Sequence, residues 1–187
     1  MKKTIKPTWE KLSVWQKRAI KLPWQAWLLH GGSFMQRLVQ HGVADTRIKI
    51  LSESWQRPKQ EESVLLRTDP PIRVFVREVL ICNEQQSWMF ARTVIPREML
   101  TGEEQALAHL KERSLGSVLF KNPALKRSEF EVACLKPHMF LHSKAVSAVE
   151  ESLPDLWARR SVFSLPGKSL LLTEVFLPDM MLFNEET

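Results

Sequence analysis

IRVFVREVLIC at 72–82 and WMFARTVIP at 88–96 are dense in β-branched and aromatic residues, and the intervening NEQQ supplies a turn. Two such runs with a short polar break read as a β-hairpin. Because side chains alternate along a strand, Arg73, Phe75, Arg77, Val79 and Ile81 share one face, while Val74, Val76, Glu78 and Leu80 share the other. Each face therefore carries a charge among apolar neighbours. ARRSVFSL–PGK–SLLLTEVFL at 158–177 repeats the arrangement as a second hairpin, with Leu170, Leu172, Glu174 and Phe176 on one face and Leu171, Thr173, Val175 and Leu177 on the other.

Working outward, residues 46–52 alternate as a strand, and SESWQRPKQEES at 52–63 reads as a polar surface loop leading to the rigid Pro70-Pro71. On the N-terminal side, 8–21 reads as a helix, and Pro23 suits the first turn of a second, WQAWLLH, that ends before Gly31-Gly32. Ser33 can cap a third, FMQRLVQ, closed by Gly42. Further along, Thr101 and Glu104 have capping-box spacing ahead of EQALAHLKE, SLGSVLF forms a short helix or turn, and SEFEVACL at 128–135 adds a strand. The expected fold is one α+β domain over 1–187, an antiparallel sheet of about six strands with helices enclosing a ligand pocket.

A chain of 187 residues with 44% hydrophobic content has the size of one domain with a sizeable core. The formal charge of +6 is unevenly spread, since residues 1–50 hold ten Lys and Arg against two acids and the rest holds 17 against 19. Lys2, Lys3, Lys6, Lys11, Lys17, Arg18 and Lys21, interleaved with Trp9, Trp15 and Ile20, read as a solvated helix face. Nucleic-acid or membrane contact is the alternative for that region. Polar interruptions exclude a signal-peptide core or a membrane span, and the chain is expected in the cytoplasm with no stable membrane insertion. There, Cys82 and Cys134 are expected to be free.

The buried charges are the first candidates for chemistry. Glu174 in an apolar strand must be paired, protonated or facing a cavity, because an isolated buried carboxylate is too costly. Arg77 and Glu174 read either as a structural salt bridge or as two walls of a ligand cavity, in which Arg77 binds an anionic group and Glu174 meets a hydroxyl or proton. Cys134, His138 and His142 recur every four residues as a metal-like cluster, but Pro137 interrupts the helix and a fourth ligand is missing. His30, His41 and His109 fall at helix ends or in helical stretches, where capping and solvent-facing roles are common. Arg159 and Arg160 are adjacent on a strand, point to opposite faces and do not make one patch. The sequence lacks a Walker A loop, a Rossmann fingerprint, a serine elbow and an HExxH motif, and no cofactor is called for.

REVLIC at 77–82, Trp88 followed by ARTVIP at 91–96, LGSVLF at 115–120, LWARRS at 156–161, GKSLLLTEVFLP at 167–178 and GGSFMQRL at 31–38 together resemble the chorismate pyruvate-lyase family over roughly residues 20–180. The resemblance implies a compact monomer, an antiparallel sheet and an enclosed pocket beneath helical flaps. It implies loss of pyruvate from chorismate to give 4-hydroxybenzoate, the first committed step of ubiquinone synthesis. It also assigns substrate contacts to Met35, Arg77, Leu115 and Glu174. Arg77 matches the arginine on the ring carboxylate and Glu174 the acid near the ring hydroxyl. Met35 and Leu115 match positions whose backbone approaches the ligand. About twenty residues, 136–155, look longer than the family's usual connection and are expected to form a peripheral, helix-containing insertion.

Breaking the ether and removing the hydrogen on the hydroxyl-bearing carbon creates an aromatic ring, so the reaction needs no cofactor and the protein's task is mainly geometric. Arg92 and Arg73 are the candidates for the pyruvyl carboxylate. Glu174 either orients the ring or exchanges a proton, and its pKa is pulled up by apolar neighbours and down by Arg77. A second function class is a non-catalytic effector-sensing module, since the family's fold resembles the ligand-binding module of certain bacterial transcription regulators. Against it, the residues before the first strand lack a recognisable helix-turn-helix. Nucleic-acid binding ranks third and rests only on the basic N terminus.

Overall fold

The structure is a computed structural model that describes residues 6–15, 25–43, 45–68 and 72–183. Its element order is β1 (Glu10–Lys11), α1 (Leu12–Trp15), α2 (Gln25–Leu29), α3 (Phe34–Gln40), β2 (Arg47–Gln56), α4 (Gln60–Leu66), β3 (Val74–Cys82), β4 (Ser87–Ile95), a 3-10 segment (Gly102–His109), α5 (Gly116–Leu119), β5 (Lys126–Arg127), β6 (Glu131–Leu135), α6 (Phe140–Val149), β7 (Leu156–Leu165) and β8 (Lys168–Phe176). Every strand pairing is antiparallel. The eight-stranded sheet runs β1-β6-β7-β8-β4-β3-β2, with β5 pairing β7 beside β6. Six of the strands are those expected, and the two-residue β1 and β5 are additions.

Both hairpins form as the alternation predicts. The Asn83 side chain accepts from the amides of Gln85 and Gln86 at 2.9 and 2.8 Å and closes the first. Gly167, at φ +74°, closes the second after Pro166, which sets Leu165 opposite Lys168 and Arg159 opposite Glu174. Ser33 caps α3 by accepting from the Gln36 amide at 3.4 Å, and Gly42 follows it at φ +73°.

Other expectations give way. Of the helix expected over 8–21, residues 12–15 are helical while 10–11 pair with β6, because the neighbouring sheet edge offers Glu10 and Lys11 strand partners. Residues 16–21 of that expected helix, Pro23 and Pro70-Pro71 lie outside the described residues. The polar stretch 52–63 is no loop, since β2 runs to Gln56 and α4 begins at Gln60. On an edge strand, polar side chains can face solvent without interrupting the ladder. Thr101 does not cap: its hydroxyl donates to the Glu98 carbonyl at 2.8 Å, while Glu104 is drawn away to Lys168 and Asn122.

Both faces of the sheet are covered. Two apolar clusters lie on one face, one around Trp27, Phe34, Ile81 and Phe176 and one around Phe75, Met99, Leu107 and Phe163. On the opposite face, α6 and its flanks pack on Leu80, Phe90, Ala158 and Val175, and Leu66 of α4 packs on Val74, Val76 and Val94. No helix among the described residues is long and apolar enough to cross a membrane.

Candidate active site

Met35, Arg77, Leu115 and Glu174, from four separate segments, line one cavity between the sheet and its covering elements α3 and α5 with the residues leading into them. Its free volume is about 80 Å³, below the roughly 300–1,000 Å³ of most small-molecule sites. The floor is the sheet face carrying Val79, Ile81, Met89, Ala91, Thr93 and Leu172. Arg77 pairs with Thr93, which pairs with Leu172, while Ala91 pairs with Glu174. Arg77 and Glu174 are thus two strands and two residues apart, roughly 12 Å between Cα atoms by sheet spacing. They are not a salt bridge to each other. Each has its own partners, and the two stand at opposite ends of the floor.

Arg77 is buried, with its Nη1 on the Glu53 carboxylate and its Nη2 donating to the carbonyls of Lys111 and Arg113 at 2.5 and 3.4 Å. A bulge in β2 creates the first contact. Pairing runs Ile50 to Val79, skips one residue, and resumes at Ser52 to Glu78 and Glu53 to Arg77. Without that extra residue Ser52 would face Arg77, and Glu53 would point to the other side of the sheet. The backbone contacts bind Arg77 to the loop that leads into α5, where Leu115 is the N-cap. Met35 is the second residue of α3, a position whose amide has no acceptor within its own helix.

Glu174 is held by two arginines. Arg159 grips it with a two-pronged contact, Nε to Oε2 at 2.7 Å and Nη2 to Oε1 at 3.1 Å, and Arg127 Nη2 stands 3.5 Å from Oε2. Arg159 also donates from Nη1 to the carbonyls of Trp27, Leu28 and His30 at 3.1, 3.1 and 2.7 Å, tying α2 to the same carboxylate. Burial pushes the Glu174 pKa up, but the charge and hydrogen bonds of Arg159, then Arg127 and His30, hold it below the usual carboxylate range. The opposing pulls expected at this position are present, and the cations win. They are Arg159 and Arg127, however, and not Arg77. Burial, then Arg37, Arg159 and Arg127, lowers the His30 pKa below 6.5, which leaves that ring neutral at pH 7.

Two expectations about charged residues need correction. Arg92 lies on the opposite sheet face, 1% exposed and bound to Glu62 and Glu78. Arg73 is an exposed residue whose guanidinium donates to the Trp55 carbonyl. Neither lines the cavity, because both lie away from the floor that Arg77 shares. Cys134, His138 and His142 do not share a helix: they fall on β6, in a positive-φ turn and in α6, where His142 Nε2 meets the Pro154 carbonyl at 2.8 Å. The reading of Arg159 and Arg160 as opposite-facing holds, but it overlooked that Arg159 faces Glu174. Arg127, on the short β5, had no sequence signal of comparable strength.

The protein is an antiparallel α+β sheet with a covered cavity that arginines help to line. The same fold occurs in PhnF from Mycobacterium smegmatis, with a TM-score of 0.58 at 13% identity over 82% of this chain and 67% of that one. A GntR-family regulator from Bacillus cereus gives 0.56 at 16% identity over 73% and 94%. At such identities the likeness is one of fold alone. Sequence comparison is more specific, with the chorismate lyase family model matching residues 6–187. The probable chorismate pyruvate-lyase of Methylobacillus flagellatus is 32% identical over 89% of this chain and 94% of that protein. That of Nitrosomonas europaea is 36% identical over 85% and 88%. The chain belongs to the chorismate lyase family.

Proposed function

We propose that the cavity holds chorismate with its ring carboxylate on Arg77 and its ring hydroxyl toward Glu174, while the amides of Met35 and Leu115 close on the ligand from above. The activity is that of the family, the removal of pyruvate from chorismate to give 4-hydroxybenzoate for ubiquinone synthesis. The observation that carries the assignment of residues is the meeting of these four, distant in sequence, in one cavity with an arginine and a glutamate at opposite ends. That separation suits a ring whose carboxylate and hydroxyl lie para to each other.

The chemistry asks little of the side chains. The ether bond between ring and enolpyruvyl oxygen breaks, the hydroxyl-bearing carbon loses its hydrogen, and the enolpyruvyl methylene gains a proton to become the methyl of pyruvate. Glu174, held anionic by Arg159 and Arg127, orients the ring through its hydroxyl and stabilises charge as the ring becomes aromatic. A carboxylate so firmly paired is a poor shuttle for protons near pH 7. The proton then passes within the substrate, from ring carbon to methylene.

Incubation of the metal-free protein with chorismate, followed by chromatography, should yield 4-hydroxybenzoate and pyruvate in equal amounts. No product above the spontaneous background overturns the enzyme reading and leaves an effector-binding module on the same fold.

A further inference from the structure

The cavity carries more positive charge than Arg77 and Glu174 account for. Its lining includes Arg77, Arg113 and Arg127 against Glu174 alone, a net charge of +2. Adding Glu53 on Arg77 and Arg159 on Glu174 brings one charge of each sign and leaves the balance unchanged. A substrate with two carboxylates supplies the missing pair. One is assigned above to Arg77, and the other needs a cation of its own.

Arg127 has the properties of such a group. Its guanidinium lies between two aromatic rings, 4.2 Å from the centroid of Phe130 and 4.6 Å from that of Phe163. These contacts fix the position of the guanidinium without neutralising it. Among the described residues, two hydrogen bonds orient it, Nε to the Ser161 hydroxyl at 2.9 Å and Nη1 to the Gly31 carbonyl at 2.8 Å. The carboxylate nearest to it, Glu174, stands 3.5 Å away and is already gripped by Arg159. Of the five N–H donors on an arginine, several therefore remain for a ligand. Burial, with Arg159 adding to it, draws the Arg127 pKa down to about 10, which leaves the group cationic at neutral pH. Arg113 is less suited, being exposed and turned to the carbonyls of Leu110 and His109 at 3.3 and 3.5 Å.

Substrate geometry agrees. The hydroxyl and the enolpyruvyl ether sit on adjacent ring carbons, so a hydroxyl at Glu174 brings the enolpyruvyl arm beside the cation next to Glu174. We propose that Arg127 receives the second carboxylate, the one on the enolpyruvyl arm, and retains it as pyruvate after the ether breaks. This rests on the placement of chorismate described above. Since Arg127 Nη1 also holds the Gly31 carbonyl, the turn between α2 and α3 is tied to the half of the site that pyruvate vacates.

The test uses two stable probes, 4-hydroxybenzoate, with one carboxylate, and 3-(carboxymethoxy)-4-hydroxybenzoate, with a second at the position of the enolpyruvyl arm. Calorimetry on the wild-type protein should show the dianion binding at least tenfold more tightly than its methyl ester on that arm. Arg127→Gln should abolish this preference and raise the KM for chorismate at least tenfold, while the Kd for 4-hydroxybenzoate stays within threefold. Arg127→Lys should recover part of the loss. Equal weakening of both probes overturns the proposal, because it makes Arg127 a positioning residue acting through Glu174. An unchanged KM also overturns it, as does a wild-type protein indifferent to the ester, which needs no variant that folds. Wild-type turnover of chorismate, measured alongside, tests the function itself and separates the two.

Discussion

Arg77 and Arg92 occupy neighbouring strands, β3 and β4, each nearly inaccessible to solvent and each bound to glutamate, yet one lines a cavity and the other is sealed beneath helices. On the sealed side Arg92 donates to Glu62 at 2.7 and 3.2 Å and to Glu78 at 2.7 Å, and Lys144 of α6 reaches Glu78 at 2.9 Å. Two cations meet two anions, and the Phe140 ring covers Arg92 at 5.2 Å. The cavity side is left two positive charges in excess. Burial of charge therefore does not by itself mark a functional site on this sheet. The distinction is whether the charges are balanced within the protein or await a partner from outside.

Removing one member of each cluster is the strongest way to break this comparison. Glu174→Ala and Arg92→Met each leave buried charge without its counterpart and should each cost about 3–5 kcal/mol of stability, measured by denaturant unfolding. Only Glu174→Ala should also remove turnover at a temperature where both proteins remain folded. A comparable loss of kcat in folded Arg92→Met would erase the functional difference between the faces. Glu174→Gln sharpens the point, since it keeps shape and hydrogen bonding but cannot exchange a proton. It should retain appreciable single-turnover rate. A rate as low as that of Ala, a fall of roughly 10²–10⁴-fold, makes Glu174 the proton carrier.

Next in size is Arg77→Ala, expected to weaken 4-hydroxybenzoate binding by roughly 10–150-fold, the usual worth of hydrogen bonds to a charged group. Arg77→Lys should fall between it and the wild type, because the ammonium keeps charge but not the planar fork. Calorimetric titration reads this directly, and unchanged affinity in folded Arg77→Ala protein moves the carboxylate elsewhere.

The two faces should respond alike to acid. Glu174 and Glu78 are both held below the ordinary carboxylate pKa, in each case by cations that outweigh burial. A depressed folded-state pKa contributes stability that is present above the unfolded value, about 4.3, and is lost as pH falls through the folded one. Thermal midpoints should therefore hold from about pH 7 down to about pH 5 and decline below about 4.3. The single-turnover rate should show no titration of Glu174 between about pH 5.5 and 8. A rate that follows an ionisation in that range contradicts the anionic, orienting role.

The smallest effect belongs to Lys144→Met, which removes a half-exposed cation from the sealed cluster. It should cost under about 1 kcal/mol and leave KM for chorismate unchanged. A larger effect on turnover would join α6 to the site. We propose instead that 136–155 is a peripheral insertion, whose helix buries Leu141 and Ala145 against the sheet face opposite the cavity.

Much of the fold was legible because local chemistry governs it. Alternation in 72–82, 88–96 and 158–177 determined the hairpins and which residues share a face, since a period of two admits no other arrangement on a half-buried strand. Ser33 and Gly42 bounded α3 through groups within a few residues of them. The Arg159–Glu174 pair was not legible in this way. A three-residue loop at Pro166-Gly167-Lys168 would set Arg160 opposite Glu174, whereas the two-residue loop at Pro166-Gly167 sets Arg159 there. The reading of Arg159 and Arg160 stopped at their opposite directions.

The rest depended on contacts between distant segments. Nothing local in SESWQRPKQEES announces that a bulge in β2 turns Glu53 toward Arg77, or that Glu62, nine residues later in α4, meets Arg92. Arg127 reaches the cavity only because a two-residue strand pairs with β7 and two phenyl rings enclose its head. Charge balance has the same origin. The sequence by itself set Arg77, Glu78 and Glu174 among apolar neighbours, and tertiary structure buried Glu62 as well and decided which charges were neutralised, because a carboxylate and a guanidinium cancel only when the fold brings them within a few ångströms.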